Sequence, residues 1–243
     1  MAVWASSDRV MNNPGSALEL NELQARRVSG WLDAWAKATG GAVPADVLGA
    51  ALALPRDDVQ AANQALQAEG VWHLGHGRPH EAAASLRQAD ATARAARVCN
   101  AYTAPAVAWL ATALRHEADQ VQAGDPGQAT RLRRQGESAA RQAVRLARRF
   151  RADLPHALRE RGLLLAALGR SRKGLRRLEE SLAEAERQGA RYEQAQTRLA
   201  LARLRAALGV PGAAGQEVEL ERELRALEVL AKDRGSADSG KRS

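Results

Sequence analysis

The side chains suited to chemistry are few and scattered. His73, His76 and His80 fall in an H-x2-H-x3-H spacing. The first two could share a helix face and ligate a metal ion, but Gly77 and Pro79 set His80 across a turn and no cysteine or carboxylate completes the set. They read as turn histidines, and no metal is expected. Gly-Arg-Ser-Arg-Lys-Gly at 169–174 has the residue types of a phosphate loop without its order, in which Gly-Lys-Ser/Thr follows a spacer and a strand precedes it. There is no Gly-x-Ser-x-Gly nucleophile elbow, and the adjacent carboxylates Glu179 and Glu180 read as a solvated helix face. Cys99, the only cysteine, excludes an internal disulfide and reads as a small packing residue in a reducing compartment. The expectation is a protein that is not an enzyme and uses no cofactor.

What remains is charge. The formal net charge is +8, and it is unevenly placed. Residues 131–177 hold 15 basic and 3 acidic side chains, while the rest of the chain nets −4. Within this region Leu132, Ala140, Ala143, Val144, Ala147 and Phe150 point one way on a helix. Arg134, Arg141, Arg145 and Arg148 point the opposite way, as a basic patch. Later, with Leu199, Ala202 and Leu208 taken as inward, Arg191, Gln194, Arg198 and Arg205 form an outward stripe that Arg159 could extend. Guanidinium groups in such a row suit carboxylates, which they bind in bidentate fashion. The basic patch allows a second reading, nucleic acid bound through 131–177. Phe150 is the only aromatic residue in that region, which counts against base stacking.

The elements that carry these residues are amphipathic helices. Ala and Leu dominate the apolar content and β-forming residues are scarce. Residues 155–189 show the unit. Pro155 suits the first turn of a helix, Leu158, Gly162, Leu165, Ala166 and Leu168 recur at helical spacing, and Gly169 ends the helix. Ser171 is the expected cap of a second helix, whose stripe is Leu175, Leu178, Leu182 and Ala185 before Gly189 stops it. So short a turn makes the pair antiparallel. Such a hairpin cannot bury both faces alone, which is the physical signature of a repeat.

Copies of the hairpin follow from counting. Gly162 lies seven residues before Gly169, and Gly174, Leu178 and Ser181 lie five, nine and twelve after it. The same count from Gly77 reaches Gly70, Ala82, Leu86 and Ala89, and from Gly209 it reaches Ala202, Ala214 and Val218. A further copy has Ala140, Val144 and Ala147 in its second helix and its turn displaced to 123–128. Around these, a Ser16–Glu19 capping box predicts a helix to about Thr39. A short helix follows Pro44 and ends at Pro55, and Asp57 and Asp58 start another that runs to about Leu74. The remaining predicted helices run from Pro79 to Val98, from Pro105 to the break at 123–127, on to Phe150, over 190–208, and from Pro211 to about Lys232. Residues 1–15 and 233–243 are expected to be loosely ordered or disordered, with 16–232 as the helical repeat domain.

This small–large pattern resembles the tetratricopeptide repeat over roughly 57–230, in its long-repeat variety. The family's proline between repeats is missing after Ala89 and Ser181, and its first-helix tryptophan is not at Leu66 or Leu158. The segments at Tyr102–Pro105, Arg148–Glu160 and Glu186–Glu193 look like the helical-repeat region that follows the ATPase module in large bacterial signalling ATPases and kinases. The resemblance implies an all-α fold, an open α-solenoid of antiparallel pairs with about ten helices, whose first helices line a groove. It implies a scaffold or sensor part of a regulatory system that binds a protein or peptide with acidic segments, with Arg159, Arg191, Gln194, Arg198 and Arg205 in the groove. An ATPase or kinase module in the same or a neighbouring chain is a further implied partner. The start MAVWASSDRV lacks a secretory signal and no apolar run is long enough to span a bilayer, so the expected location is cytoplasmic, without membrane contact.

Overall fold

The computed structural model describes residues 14–53, 58–213 and 215–226. It is all-α among those residues: α1 (Pro14–Thr39), α2 (Ala45–Leu52), α3 (Val59–Gly75), α4 (Pro79–Ala95), α5 (Pro105–Val121), α6 (Pro126–Ala147), a 3-10 turn at Arg151–Asp153, α7 (Leu154–Ala167), α8 (Ser171–Gln188) and α9 (Arg191–Ala207). A further helical stretch covers 215–226. Of the expected loose order at 1–15, residues 1–13 lie outside the described residues, while 14 and 15 are helical. The expected disorder at 233–243, the helix end near Lys232, the helix end at Pro55 and the start at Asp57 also lie outside them.

Each helix from α3 to α9 packs on the one before and the one after it, and α3, α5, α7 and α9 also touch each other in series. Close contacts fix the directions. Leu86 of α4 lies over Gly70 of α3, and Leu178 of α8 over Gly162 of α7, so these pairs are antiparallel. Arg26, midway along α1, reaches Asp58 just before the first residue of α3, and Gly40, just past the last residue of α1, meets Gly75 at the end of α3. α1 and α3 are therefore parallel. The odd helices thus share one face and α4, α6 and α8 lie behind them.

Among the counted small residues Gly70, Gly162 and Gly174 are contact points, while Ala214 lies outside the described residues. A Cβ on Gly70 would lie 2.6 Å from Leu86 Cγ, and one on Gly162 would lie 2.8 Å from Leu178 Cγ and 3.0 Å from the Gly174 carbonyl oxygen. The turns also match. Gly77 and Gly169 have φ of 69° and 76°, and each turn closes with two hydrogen bonds back into its helix, Arg78 N to His73 O at 2.9 Å and Arg170 N to Leu165 O at 2.8 Å being the longer-range ones. In the displaced copy Ala140, Val144 and Ala147 are buried in one cluster with Leu114 and Leu164.

Several expectations need correction. The Ser16–Glu19 box is not a start, because α1 already begins at Pro14. Asp58 caps α3, accepting from the Ala61 N–H at 2.7 Å. Ser171 is the first residue of α8, whose cap position, Arg170, makes no side-chain bond. α4 ends three residues early because Arg97, at φ 56°, takes the left-handed place that glycine holds in the other turns. α6 stops at Ala147 rather than Phe150, before the 3-10 turn. Val218 is exposed, and the last stretch packs instead through Leu220 and Leu224 on Ala195 and Leu199. Cys99 is exposed in the α4–α5 loop and packs nothing.

Glycine substitutions separate contact from propensity. Gly162→Ala should destabilise by roughly 1–3 kcal/mol through overpacking, outweighing the ~1 kcal/mol alanine gains in a helix interior. Gly49, inside α2 with nothing within 4 Å of a Cβ, should gain about 0.5–1 kcal/mol as alanine. Urea midpoints that shift the same way for both variants would contradict the close contact.

Candidate functional site

The shared face of the odd helices carries a cavity of about 350 Å³ lined from α1, α3, α5, α7 and α9. It adjoins a second of about 560 Å³, and the two share Arg115, His116, Arg159, Glu160 and Gln196. Trp109, Tyr192, Lys37 and Asp153 belong to the first, while Leu163, Arg203 and Leu224 belong to the second.

Polar contacts run from helix to helix along this face. Lys37 of α1 binds Asp33 at 2.8 Å and donates to Gln67 Oε1 of α3 at 2.8 Å. Gln67 Nε2 in turn donates to Asn63 Oδ1 and to the Tyr102 carbonyl. Between α5 and α7, Arg115 grips Glu160 with two bonds of 2.8 and 3.1 Å, and Thr112 Oγ1 lies 2.9 Å from His156 Nε2. Between α7 and α9, Arg159 pairs with Glu193. Buried polar groups need partners, and here α1 and α3, α5 and α7, and α7 and α9 supply one another's, while Gln67 of α3 bonds the loop before α5.

Burial and these partners set the charges. Burial holds the His156 imidazole down to about 4, helped by the Arg159 guanidinium, so the ring is neutral. Burial alone would raise the Glu160 carboxyl, but Arg115 outweighs it and holds the group at about 2. Burial pushes Asp153 up to about 6. Lys37 pulls it back, and Asp33 and Glu193 push it further up.

The expected groove residues divide. Arg159 is in the cavity, buried and paired rather than presented for a partner. Gln194, Arg198 and Arg205 turn toward α8 instead. Gln194 Nε2 donates to the Ala185 carbonyl at 3.2 Å, Arg198 meets Glu186 at 3.4 Å and Arg205 meets Glu179 at 3.3 Å. Arg191 is exposed at the first turn of α9 and lines neither cavity. The α9 stripe that lines the cavities is Tyr192, Glu193, Gln196, Leu199, Ala200 and Arg203. One residue is about 100° of helix, and α9 is wedged between α7 and α8, so its two polar flanks serve different neighbours. Leu208, taken as inward, is exposed.

The basic patch lies on α6 away from this face. Arg134, Arg141, Arg145 and Arg148 are exposed, and Arg141 pairs with Glu137 of its own helix. Of the turn histidines, His76 Nδ1 is 2.8 Å from the Trp72 carbonyl and His80 Nδ1 is 2.8 Å from Glu117. Among the described residues no three or more His, Cys, Asp or Glu side chains gather to hold a metal, and no helix is long and apolar enough to cross a membrane.

Sequence reading missed Lys37, Trp109, Arg115, Asp153, His156, Glu160 and Glu193 as site residues. A signal existed: polar residues three or four apart inside the odd helices, as at Asn63–Gln67, Thr112–Arg115, His156–Glu160 and Glu193–Gln196. No protein-family model matches the chain, and no curated protein matches it.

The two perturbed groups oppose each other in acid. Neutral burial of His156 stabilises fully above its ordinary value of about 6.5, and that contribution is lost as pH falls toward 4. Asp153 runs the other way. Its contribution is full below its ordinary value of about 3.9 and is lost as pH rises through 6. Glu160 matters only below the ordinary carboxylate range. Asp153→Asn should therefore show a steeper fall in melting temperature from pH 6.5 to 4.5 than the parent, and His156→Gln a flatter one. Identical slopes in all three would contradict the assignment.

Proposed function

We propose that the chain is a non-catalytic protein-interaction module, an open stack of helix pairs of the tetratricopeptide kind whose odd helices form the inner, partner-binding surface. The observation that carries this reading is the pair of adjoining cavities along one face, lined in series by α1, α3, α5, α7 and α9. Extended segments fit such inner surfaces. The matching contacts Gly70–Leu86 and Gly162–Leu178 support the repeat. The sequence resemblance supports a cytoplasmic regulatory or signalling setting, with an ATPase or kinase module as a neighbour. The cations of the inner face already have carboxylate partners, so the expectation of an acidic partner segment has no support in its geometry.

Positions that are exposed, as Tyr192 and Arg145, or half-buried, as Gln196, test this with little risk to the fold. A photo-crosslinking residue in place of Tyr192 or Gln196 should capture one discrete protein in the native cell, and one in place of Arg145 should not. Capture from Arg145 alone would contradict it. Duplex DNA should bind at micromolar or weaker near physiological salt, as bulk charge does. Sub-micromolar duplex binding that is lost when Arg141, Arg145 and Arg148 are changed to Glu would instead favour a nucleic-acid module.

A further inference from the structure

We propose that the 350 Å³ cavity is a binding site for a single organic cation, an ammonium group held by Asp153 between Trp109 and Tyr192. The inference deepens the interaction reading by naming the chemistry that the inner face recognises, and it can fail separately from it.

Charge within the cavity is the first argument. Three cations line it, and each has its own carboxylate: Lys37 with Asp33 at 2.8 Å, Arg115 with Glu160 at 2.8 Å, and Arg159 with Glu193. The neutral imidazole of His156 adds none, and His116 at the rim is held below its ordinary value, by burial and then by Arg115. Asp153 is the carboxylate left over. It stands at the cap position of α7 but makes no side-chain cap bond, and among the described cations Lys37, already bonded to Asp33, is the one that acts on it. The lining cations and carboxylates balance three to three, and counting Asp33, which holds Lys37 from outside the lining, the site carries one negative charge in a chain whose formal net charge is +8. Asp153 is also poorly solvated, since burial pushes its carboxyl up to about 6. Asp153 is half-buried, and a carboxylate that has lost part of its water without gaining a hydrogen-bond partner is stabilised by a bound cation.

The walls are the second argument. Trp109 and Tyr192 line the same cavity as Asp153. Trp109 is oriented by an edge-on contact with His156, 4.6 Å between ring centroids. Aromatic faces with a carboxylate are the composition that selects an ammonium over an anion or a neutral polar group. The volume suits a small ligand, and the adjoining 560 Å³ space leaves room for a longer chain that ends in the ammonium.

Isothermal titration of the whole chain tests the proposal, with tetramethylammonium and butylamine as free cations, a lysine-containing tripeptide as the side-chain source, and acetate and inorganic phosphate as controls. At pH 7.5 the cations should bind saturably and the anions should not. Tripeptide binding tighter than butylamine would assign the ammonium to a partner's lysine, and the reverse order to a free amine. Asp153→Asn should weaken binding at least tenfold with its melting transition retained, and Trp109→Leu should weaken it as well. Parent affinity should fall between pH 7.5 and 5 as Asp153 takes up a proton. The same profile in Asp153→Asn would place the titration on His116 and overturn the assignment. Absence of cation binding, or equal binding by parent and Asp153→Asn, would overturn it too. If a crosslink at Tyr192 persisted in that case, the interaction reading would stand alone. If cations bound and no protein were captured, the cation site would stand without a protein partner.

Discussion

The contact on which the inner face depends is the pair between Arg115 of α5 and Glu160 of α7. Glu160 is nearly inaccessible to solvent and Arg115 largely so, and two hydrogen bonds align the guanidinium with the carboxylate. Removing two charges from water costs several kcal/mol each, and good geometry must offset that. The arrangement leaves little freedom in how α7 sits on α5. Lys37–Gln67 on one side and Arg159–Glu193 on the other continue the same logic. Apolar packing behind the odd helices supplies bulk stabilisation without direction, whereas this polar seam fixes the spacing and rotation of α3 on α1, of α7 on α5 and of α9 on α7. The cavities are what that spacing leaves open.

The seam also explains the electrostatic character of the two faces. The inner face engages its own cations in pairs, and Asp153 shares Lys37 with Asp33 rather than having a cation of its own. The outer face of α6 keeps Arg134, Arg145 and Arg148 exposed to solvent, where screening weakens them. A strongly basic chain thus presents a nearly neutral, slightly acidic inner surface. Net charge describes attraction at long range; it does not describe what the cavity accepts.

The helix pairs were legible in the sequence because close packing demands small residues at fixed intervals. Gly70 with Leu86 and Gly162 with Leu178 are the same contact in two hairpins, found by counting from Gly77 and Gly169. The site was far less legible. Arg198 and Arg205 have the composition of a groove but sit a fraction of a turn away, against Glu186 and Glu179. Periodicity gives the buried side of a helix and cannot say which of its two polar flanks a later helix will cover. Asp153 lies in a 3-10 turn that no helical period marks. Its importance comes from Lys37, Asp33 and Glu193, residues distant in sequence that the fold brings near.

A double-mutant cycle on Arg115 and Glu160 tests most directly whether the seam holds the odd helices in place. Arg115→Met and Glu160→Gln are each compared with the parent and with the double variant by equilibrium urea denaturation. Each single change strands a buried partner and should cost roughly 3–5 kcal/mol, whereas the double change, which removes both charges, should cost clearly less than the sum. A coupling near zero, with the two single effects simply adding, would show that α5 and α7 are positioned by apolar packing alone and would contradict this account.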